Sequence, residues 1–263
     1  MTQRPNDDAK CSEVDVVLLA APRGFCAGVE MAIKALAWMV RTFPAPVYCF
    51  HEIVHNKSVV KRFEQQGVVF VESISDVPRG SPIMLSAHGS APEVVLAAKQ
   101  QGRFVVDSVC PLVTKVHHEV KTRASKGYRI IYVGHEGHEE VDGTAGEAPE
   151  NIQLVDGIES IKNIKVRDEN TVAWLSQTTL SVDETLATVA ELRKRFPNLI
   201  DPPSDDICYA TQNRQVAIKE IAPQADLVLV VGSTNSSNSV RLVEVSLEYG
   251  AKAAYLIDYA AEA

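Results

Sequence analysis

Three cysteines frame this chain, because each occupies the same place in a repeated unit. Cys26, Cys110 and Cys208 each end a short loop and open a stretch with helical patterning: PRGFCAGVEMAIKALAW, VDSVCPLVTKVHHEVKT and SDDICYATQNRQVAIKEIA. Twenty-five residues beyond each stand His51, His135 and Ser233, every time just past an apolar run, VYCF, IIYVG or LVLVVG. The segments that follow, HEIVHN, HEGHEE and STNSSNS, are polar. Cysteine, helix, strand and polar turn thus recur three times, and a repeat of this kind constrains architecture before any single motif does. Three equivalent thiols in three equivalent units are expected to converge on one metal cluster.

Strand candidates alternate with helical spacing along the whole chain: VDVVLLAA at 14–21, VVFV at 68–71, IMLSA at 83–87, FVVD at 104–107, VAWL at 172–175 and AAYLID at 253–258. Between them, sets such as Val29, Ile33, Leu36 and Val40 line one helical face. This alternation predicts an α/β fold with parallel sheets and helices on their faces. Ligands of such folds bind outside the carboxyl ends of the strands. Two strand–turn–helix elements, IMLSAHGSAPEVVLAAKQQG and VAWLSQTTLSVDETLATVAEL, lead into Cys110 and Cys208, while strand 14–21 leads into Cys26. The repeat calls for a third such element after Asp258, and the residues to Ala263 leave no room for it. The third unit is therefore expected to be incomplete, with a bare sheet edge and exposed apolar surface.

The chain has 263 residues, 46% hydrophobic and 23% charged, which suits a soluble α/β body of two or three lobes. No run approaches the roughly 18 apolar residues of a membrane span. The polar start, MTQRPNDDAKCSEVD, lacks the apolar core of a signal peptide, so residues 1–13 are expected to form a disordered tail and the protein to be cytoplasmic. Five cysteines in that setting suit metal ligation or core packing better than disulfides; Cys11 is incidental and Cys49, within VYCF, is a buried small hydrophobe. A formal charge of −8 and the lack of a basic stripe exclude nonspecific nucleic-acid binding.

A thiol at a helix start feels the positive end of the macrodipole and free N–H groups, which stabilise its thiolate. Pro111, directly after Cys110, suits the first helical position. Thiolates favour iron–sulfur clusters or zinc, and three rather than four leave one metal position open for a substrate. His55, His88 and His138 fall just beyond strands, where amides and helix starts favour an anion. Gln177, Thr178, Ser236, Ser237 and Asn238 place uncharged donors in matching turns. Such a set could hold a diphosphate without a lysine patch. Among Glu136, Glu139, Glu140 and Asp142, one carboxylate raised by anionic neighbours could deliver a proton, and the sequence does not choose between them. His51-Glu52-Ile53-Val54-His55 also matches the zinc motif H-E-x-x-H, which requires a helix. Here it starts at a strand end, and Asn56 is expected to cap the next helix, NKSVVKRFEQQG.

PRGFCAGV, HEIVHN, SAHGS, CPLVTKVH, GHEGHEEVDGT, SQTTLSVD, DDICYATQNRQ and VVGSTNSSNS, in this order from about residue 14 to 260, closely resemble the 4-hydroxy-3-methylbut-2-enyl diphosphate reductases. The resemblance implies three α/β lobes in a pseudo-threefold trefoil: 28–109, 110–204, and 14–27 with 205–263. It further implies a central [4Fe-4S] cluster on Cys26, Cys110 and Cys208, with one iron open to the substrate. The diphosphate would be held by His55, His88, Ser236, Ser237 and Asn238, with His138 and Thr178 beside it. Glu140, assisted by Thr178 and His138, would deliver protons. Reduced ferredoxin or flavodoxin would bring the electrons, yielding isopentenyl and dimethylallyl diphosphate. The family's C-terminal strand and its TAGAS turn, whose serine joins the diphosphate site, have no match here. Two alternatives stay open: a shortened paralogue using its cluster for electron transfer or redox sensing, and an inactive remnant.

Overall fold

The computed structural model describes residues 14–102 and 104–262. The expected tail, 1–13, with Cys11, lies outside the described residues. Eight α-helices and nine strands are described: α1 (Ala27–Thr42), β1 (Val47–Phe50), α2 (Lys57–Glu64), β2 (Val68–Val71), β3 (Pro82–Leu85), α3 (Pro92–Gln101), β4 (Phe104–Asp107), α4 (Pro111–Ser125), β5 (Arg129–Val133), α5 (Glu139–Ala145), β6 (Ile152–Val155), β7 (Val172–Ser176), α6 (Val182–Arg195), α7 (Tyr209–Ile221), β8 (Leu227–Val231), α8 (Ser237–Glu248) and β9 (Ala253–Ile257). They build three separate sheets, β2-β1-β3-β4, β6-β5-β7 and β8-β9, in which every pairing is parallel. The α/β class and the three-lobed plan follow directly.

The repeat is visible in the pairing. Strands β1, β5 and β8 each follow a cysteine-headed helix, and each pairs with the next strand in sequence, β2, β6 or β9. A parallel bridge from Ala173 to Ile200 gives the second lobe a trace of the strand that β4 supplies in the first. Its counterpart in the third lobe should be 14–21, and here the expectation fails. Residues 14–20 carry no strand assignment, and Val14, Val16, Val17 and Leu19 are exposed. A strand needs a neighbour to satisfy its amides, and no described strand pairs with this segment. Strand β6 (IQLV) carries little sequence signal, being short and followed by the polar turn DGIES.

Packing divides the same way. In the first lobe α1 and α2 cover one sheet face, burying Leu36, Met39 and Phe63 against Val47, Cys49 and Met84, while α3 covers the other with Ala98 against Ile83 and Leu85. The second lobe is likewise packed on both faces, by Val116 and Val120 of α4 and by Leu192 of α6. The third has one core, Ile218 of α7 and Leu242 and Val245 of α8 against Val228, Val230 and Ala254. The alternate residues Leu227, Leu229, Val231 and Tyr255 are exposed.

Candidate functional site at the junction of the three lobes

Each cysteine caps a helix. Cys26, Cys110 and Cys208 precede α1, α4 and α7 with extended or near-extended backbones, and the Cys26 thiol accepts a hydrogen bond from Val29 N at 3.5 Å. The three thiols lie near one another. Burial raises the Cys110 pKa, and the neighbouring thiols of Cys208 and Cys26 raise it further, each opposing a second negative charge. Gly28, in the first turn of α1, makes room for this meeting: a Cβ there would lie 2.8 Å from Cys110 Sγ and 4.0 Å from Cys26 Sγ. Cys49 is fully buried within β1, and burial raises its pKa, as suits a packing residue.

Backbone bonds tie the cysteines to the polar turns. Cys110 N donates to Ala87 O at 3.0 Å, next to His88, and Cys208 N donates to Thr178 O at 2.9 Å. Thr178 in turn binds Glu140 twice, its N–H to Oε1 at 2.7 Å and its hydroxyl to Oε2 at 2.9 Å. Glu140 is 2% exposed, and burial pushes its pKa up to about 7 in spite of the Thr178 donors. Of the four acidic residues in this turn, it alone is buried away from water with a pKa fit for proton delivery near neutrality.

The adjacent Glu139 has the opposite character. Its carboxylate crosses from the second lobe to the first, accepting from His88 Nδ1 at 2.9 Å and lying 3.0 Å from His51 Nδ1 as an ion-pair contact. Burial works to raise its pKa, but the two imidazoles prevail and hold it well below the usual carboxylate range. Burial likewise works to lower the His51 pKa, and the close contact and charge of Glu139 outweigh it, so the net direction is up. His51 takes a left-handed φ of 58°, which turns the chain at the end of β1. The sequence presents Glu139 only as one of four acids in a polar turn and His51 only through the H-E-x-x-H pattern. The available signal was the recurrence of a polar residue, His51, His135 or Ser233, at one repeat position.

The other histidines gather around them. The rings of His55 and His88 stack with centroids 3.9 Å apart, and His138 meets His55 edge-on at 5.2 Å. His138 caps α5, its Nδ1 accepting from Glu140 N at 3.1 Å, and burial lowers its pKa to about 3. Burial also lowers that of His88. Both are thus neutral near pH 7, and His138 carries its proton on Nε2. His55 Nε2 is buried without a partner, as is Asn238 Oδ1 in the first turn of α8. Ser236 caps that helix and Ser237 Oγ donates to Thr179 O at 3.4 Å. Asn235 Nδ2 donates to Glu52 at 2.8 Å and lies 3.4 Å from His55 Nδ1, joining the third lobe to the first.

The zinc-motif alternative does not survive this geometry. Residues 51–55 form bends rather than a helix, and Asn56 caps α2 by accepting from Val59 N, as expected. The two histidines of the motif therefore share no helical face. His55, His88 and Glu139 lie close enough to share one cation, with ligand atoms within 4.8 Å of one another. However, Glu139 Oε2 is already bonded to His88 Nδ1 itself, with Oε1 beside His51.

Fold and site together define a three-lobed α/β oxidoreductase in which cysteine-headed helices and a turn-borne cluster of histidine, glutamate, threonine, serine and asparagine meet at the lobe junctions. The chain belongs to the LytB family, whose model, described as LytB protein, matches residues 17–263. Relatives from Nocardia farcinica and Leifsonia xyli subsp. xyli, each named 4-hydroxy-3-methylbut-2-enyl diphosphate reductase, are 60% identical over 246 residues, which cover 94% of this chain and 73% of theirs. The solved E-1-hydroxy-2-methyl-but-2-enyl-4-diphosphate reductase of Plasmodium falciparum superposes with a TM-score of 0.88 at 38% identity, covering 92% of this chain and 76% of that one. A second solved structure, of (E)-4-hydroxy-3-methyl-but-2-enyl diphosphate reductase, matches at 30% identity with a TM-score of 0.68, covering 94% of this chain and 86% of its own. Among the described residues no helix is long and apolar enough to cross a membrane.

Proposed function

We propose that the chain reductively dehydroxylates 4-hydroxy-3-methylbut-2-enyl diphosphate to isopentenyl and dimethylallyl diphosphate. The observation that carries this reading is the bonding of the cysteine caps to the acid–base residues: Cys208 through the Thr178 backbone to Glu140, and Cys110 through Ala87 beside His88. The residues fit an iron–sulfur cluster. Three thiols at three helix starts meet where Gly28 lacks the Cβ that would crowd Cys110, and thiolates are the ligands such clusters take. Cys26, Cys110 and Cys208 would hold a [4Fe-4S] cluster. When bound, it supplies electrons and Lewis acidity beside the substrate hydroxyl.

The chain's own residues do the rest. His55 Nε2 is buried without a partner, and with His88, Ser236, Ser237 and the side-chain N–H groups of Asn238 it would grip the diphosphate. Protonated Glu140 would donate through Thr178: its bond to the Thr178 hydroxyl reverses, freeing that hydroxyl to pass a proton toward the leaving oxygen. Neutral His138, with Nε2–H outward, would complete the donor set. Two electrons and two protons enter, the C–O bond breaks, and water leaves. A reduced ferredoxin or flavodoxin in the cytoplasm would supply the electrons. We take the lobes as 28–109, 110–204, and 14–27 with 205–263.

The test is iron and sulfide per chain in protein purified without oxygen, followed by anaerobic turnover with the allylic diphosphate and a reduced donor. About four of each per chain together with turnover is the expected result. Zinc in place of iron, or a full cluster with no turnover, would overturn the reading; the second outcome would favour electron transfer or redox sensing.

A further inference from the structure

We propose that Glu139 is a positioning residue, holding His88 and His51 across the junction of the first two lobes so that His88 takes up a proton when an anionic diphosphate binds. This rests on the functional reading above. The geometry is specific: one carboxylate, at the start of α5, accepts from His88 Nδ1 at 2.9 Å and pairs with His51 Nδ1 at 3.0 Å. The next residue, Glu140, turns instead to Thr178. Glu139 thus does not share the proton-delivering role of its neighbour.

A neutral His88 bonded to Glu139 through Nδ1–H has only a lone pair on Nε2. A lone pair facing phosphate oxygens is repulsive. If Nε2 gains a proton, the ring becomes an imidazolium held between two anions, Glu139 behind it and the diphosphate in front. Each of its N–H groups then makes a charge-assisted bond. Without an anion the balance runs the other way, because burial lowers the His88 pKa and any charge on His55 or His51 opposes a charge on it. The other groups facing this pair keep the same sense. His138 is neutral, Glu72 lies 3.6 Å from His51 Nδ1, and Asp142 adds negative charge on the His51 side. Glu52 is paired with Asn235 and His55. A neutral amide in place of Glu139 could still accept one N–H bond, but would not stabilise the imidazolium.

The experiment is calorimetric titration of the anaerobically purified full chain with inorganic pyrophosphate, in buffers of different ionisation heat. Wild-type protein should take up about one proton on binding near pH 7.5. Glu139→Gln should lose that uptake and bind about tenfold to a hundredfold more weakly, with its iron content and visible absorbance unchanged. Glu139→Asp, which keeps the charge, should recover part of both. In turnover, Glu139→Gln should raise KM far more than it lowers kcat. Wild-type binding without proton uptake, or equal binding and uptake by Glu139→Gln, would overturn the positioning role and leave the functional reading standing. No pyrophosphate binding by the wild type would sink the functional reading, and the proton uptake with it.

Discussion

Glu139 and Glu140 are adjacent in sequence and point into different environments, and that divergence assigns their roles. Glu139 receives the His88 N–H, lies beside the His51 imidazole and stays ionised; Glu140 is enclosed and its pKa is pushed up to about 7. An acid and a permanent anion side by side are a known way for one fold to separate proton transfer from electrostatic support. Replacing Glu140 by Gln should lower kcat by about 10²- to 10⁴-fold while pyrophosphate affinity, measured calorimetrically, stays within about threefold of wild type. The wild-type kcat should fall as pH rises through about 7, where Glu140 loses the proton it would deliver. The linked stability has a definite sign. A carboxyl whose folded pKa lies above its ordinary 4.5 contributes stability fully present below pH 4.5 and lost as pH rises through about 7. Anaerobic urea titrations at pH 5 and pH 8 should therefore show wild type losing on the order of 3 kcal/mol more than Glu140→Gln. Equal losses would place the titration on another group. In sequence, these acids were four equivalents in one polar turn; the choice among them depends on Thr178, whose strand lies in a different part of the chain.

Among the elements, the three helices headed by cysteine carry the site, and they were also the most legible part of the sequence. Loop, cysteine and helix are local patterns, so the caps at Cys26, Cys110 and Cys208 fall where the repeat placed them. The cap of α2 at Asn56 was legible for the same reason. Strand 14–21 was misread because its β-branched run describes a capacity to pair, whereas a strand exists only where a neighbour accepts its hydrogen bonds. What the sequence could not convey was the role of Gly28, because it depends on a contact with α4, far along the chain. Its missing Cβ leaves space that Cys110 Sγ occupies, with 2.8 Å between that sulfur and the absent atom's position. Gly28→Ala improves helix propensity by about 1 kcal/mol, so α1 itself should not suffer. Iron per chain should nevertheless drop to less than about half of wild type, because the sulfur would have to move by several tenths of an ångström or more and ligand placement governs cluster loading. Unchanged iron and sulfide in Gly28→Ala would mean that the thiols have freedom this packing does not suggest.

Across the whole molecule the lobes are unequal, and the site depends on all of them. The first two sheets are packed on both faces, while β8 and β9 form a pair covered on one face by α7 and α8. On the other face Leu227, Leu229, Val231 and Tyr255 are 50%, 41%, 73% and 61% exposed. Two strands with one dry face sit near the lower limit of a stable sheet. Polar bonds join this lobe to its neighbours, some partly exposed, as Lys57 to Asp258, and some buried, as Gln215 Nε2 to Leu180 O and Ser176 N to Asp206. The exposed pairs contribute little each. Local opening should therefore begin here, and hydrogen exchange should show the amides of 227–231 and 253–257 losing protection well before those of 83–85 and 130–133. Cys208 heads α7, whose Ile218 belongs to this same core, so opening of the lobe would withdraw one of the three proposed ligands. Cluster loss on mild warming without oxygen, followed by visible absorbance, should then share the temperature dependence of exchange at 227–231. Inorganic pyrophosphate should slow both, because Ser236, Ser237 and Asn238 on α8 would bind it together with His55 and His88 of the first lobe, stabilising the closed state by linkage. Exchange in the third sheet as slow as in the other two would show that its single covered face and its lobe contacts suffice, and cluster loss would then have to start at Cys26 or Cys110.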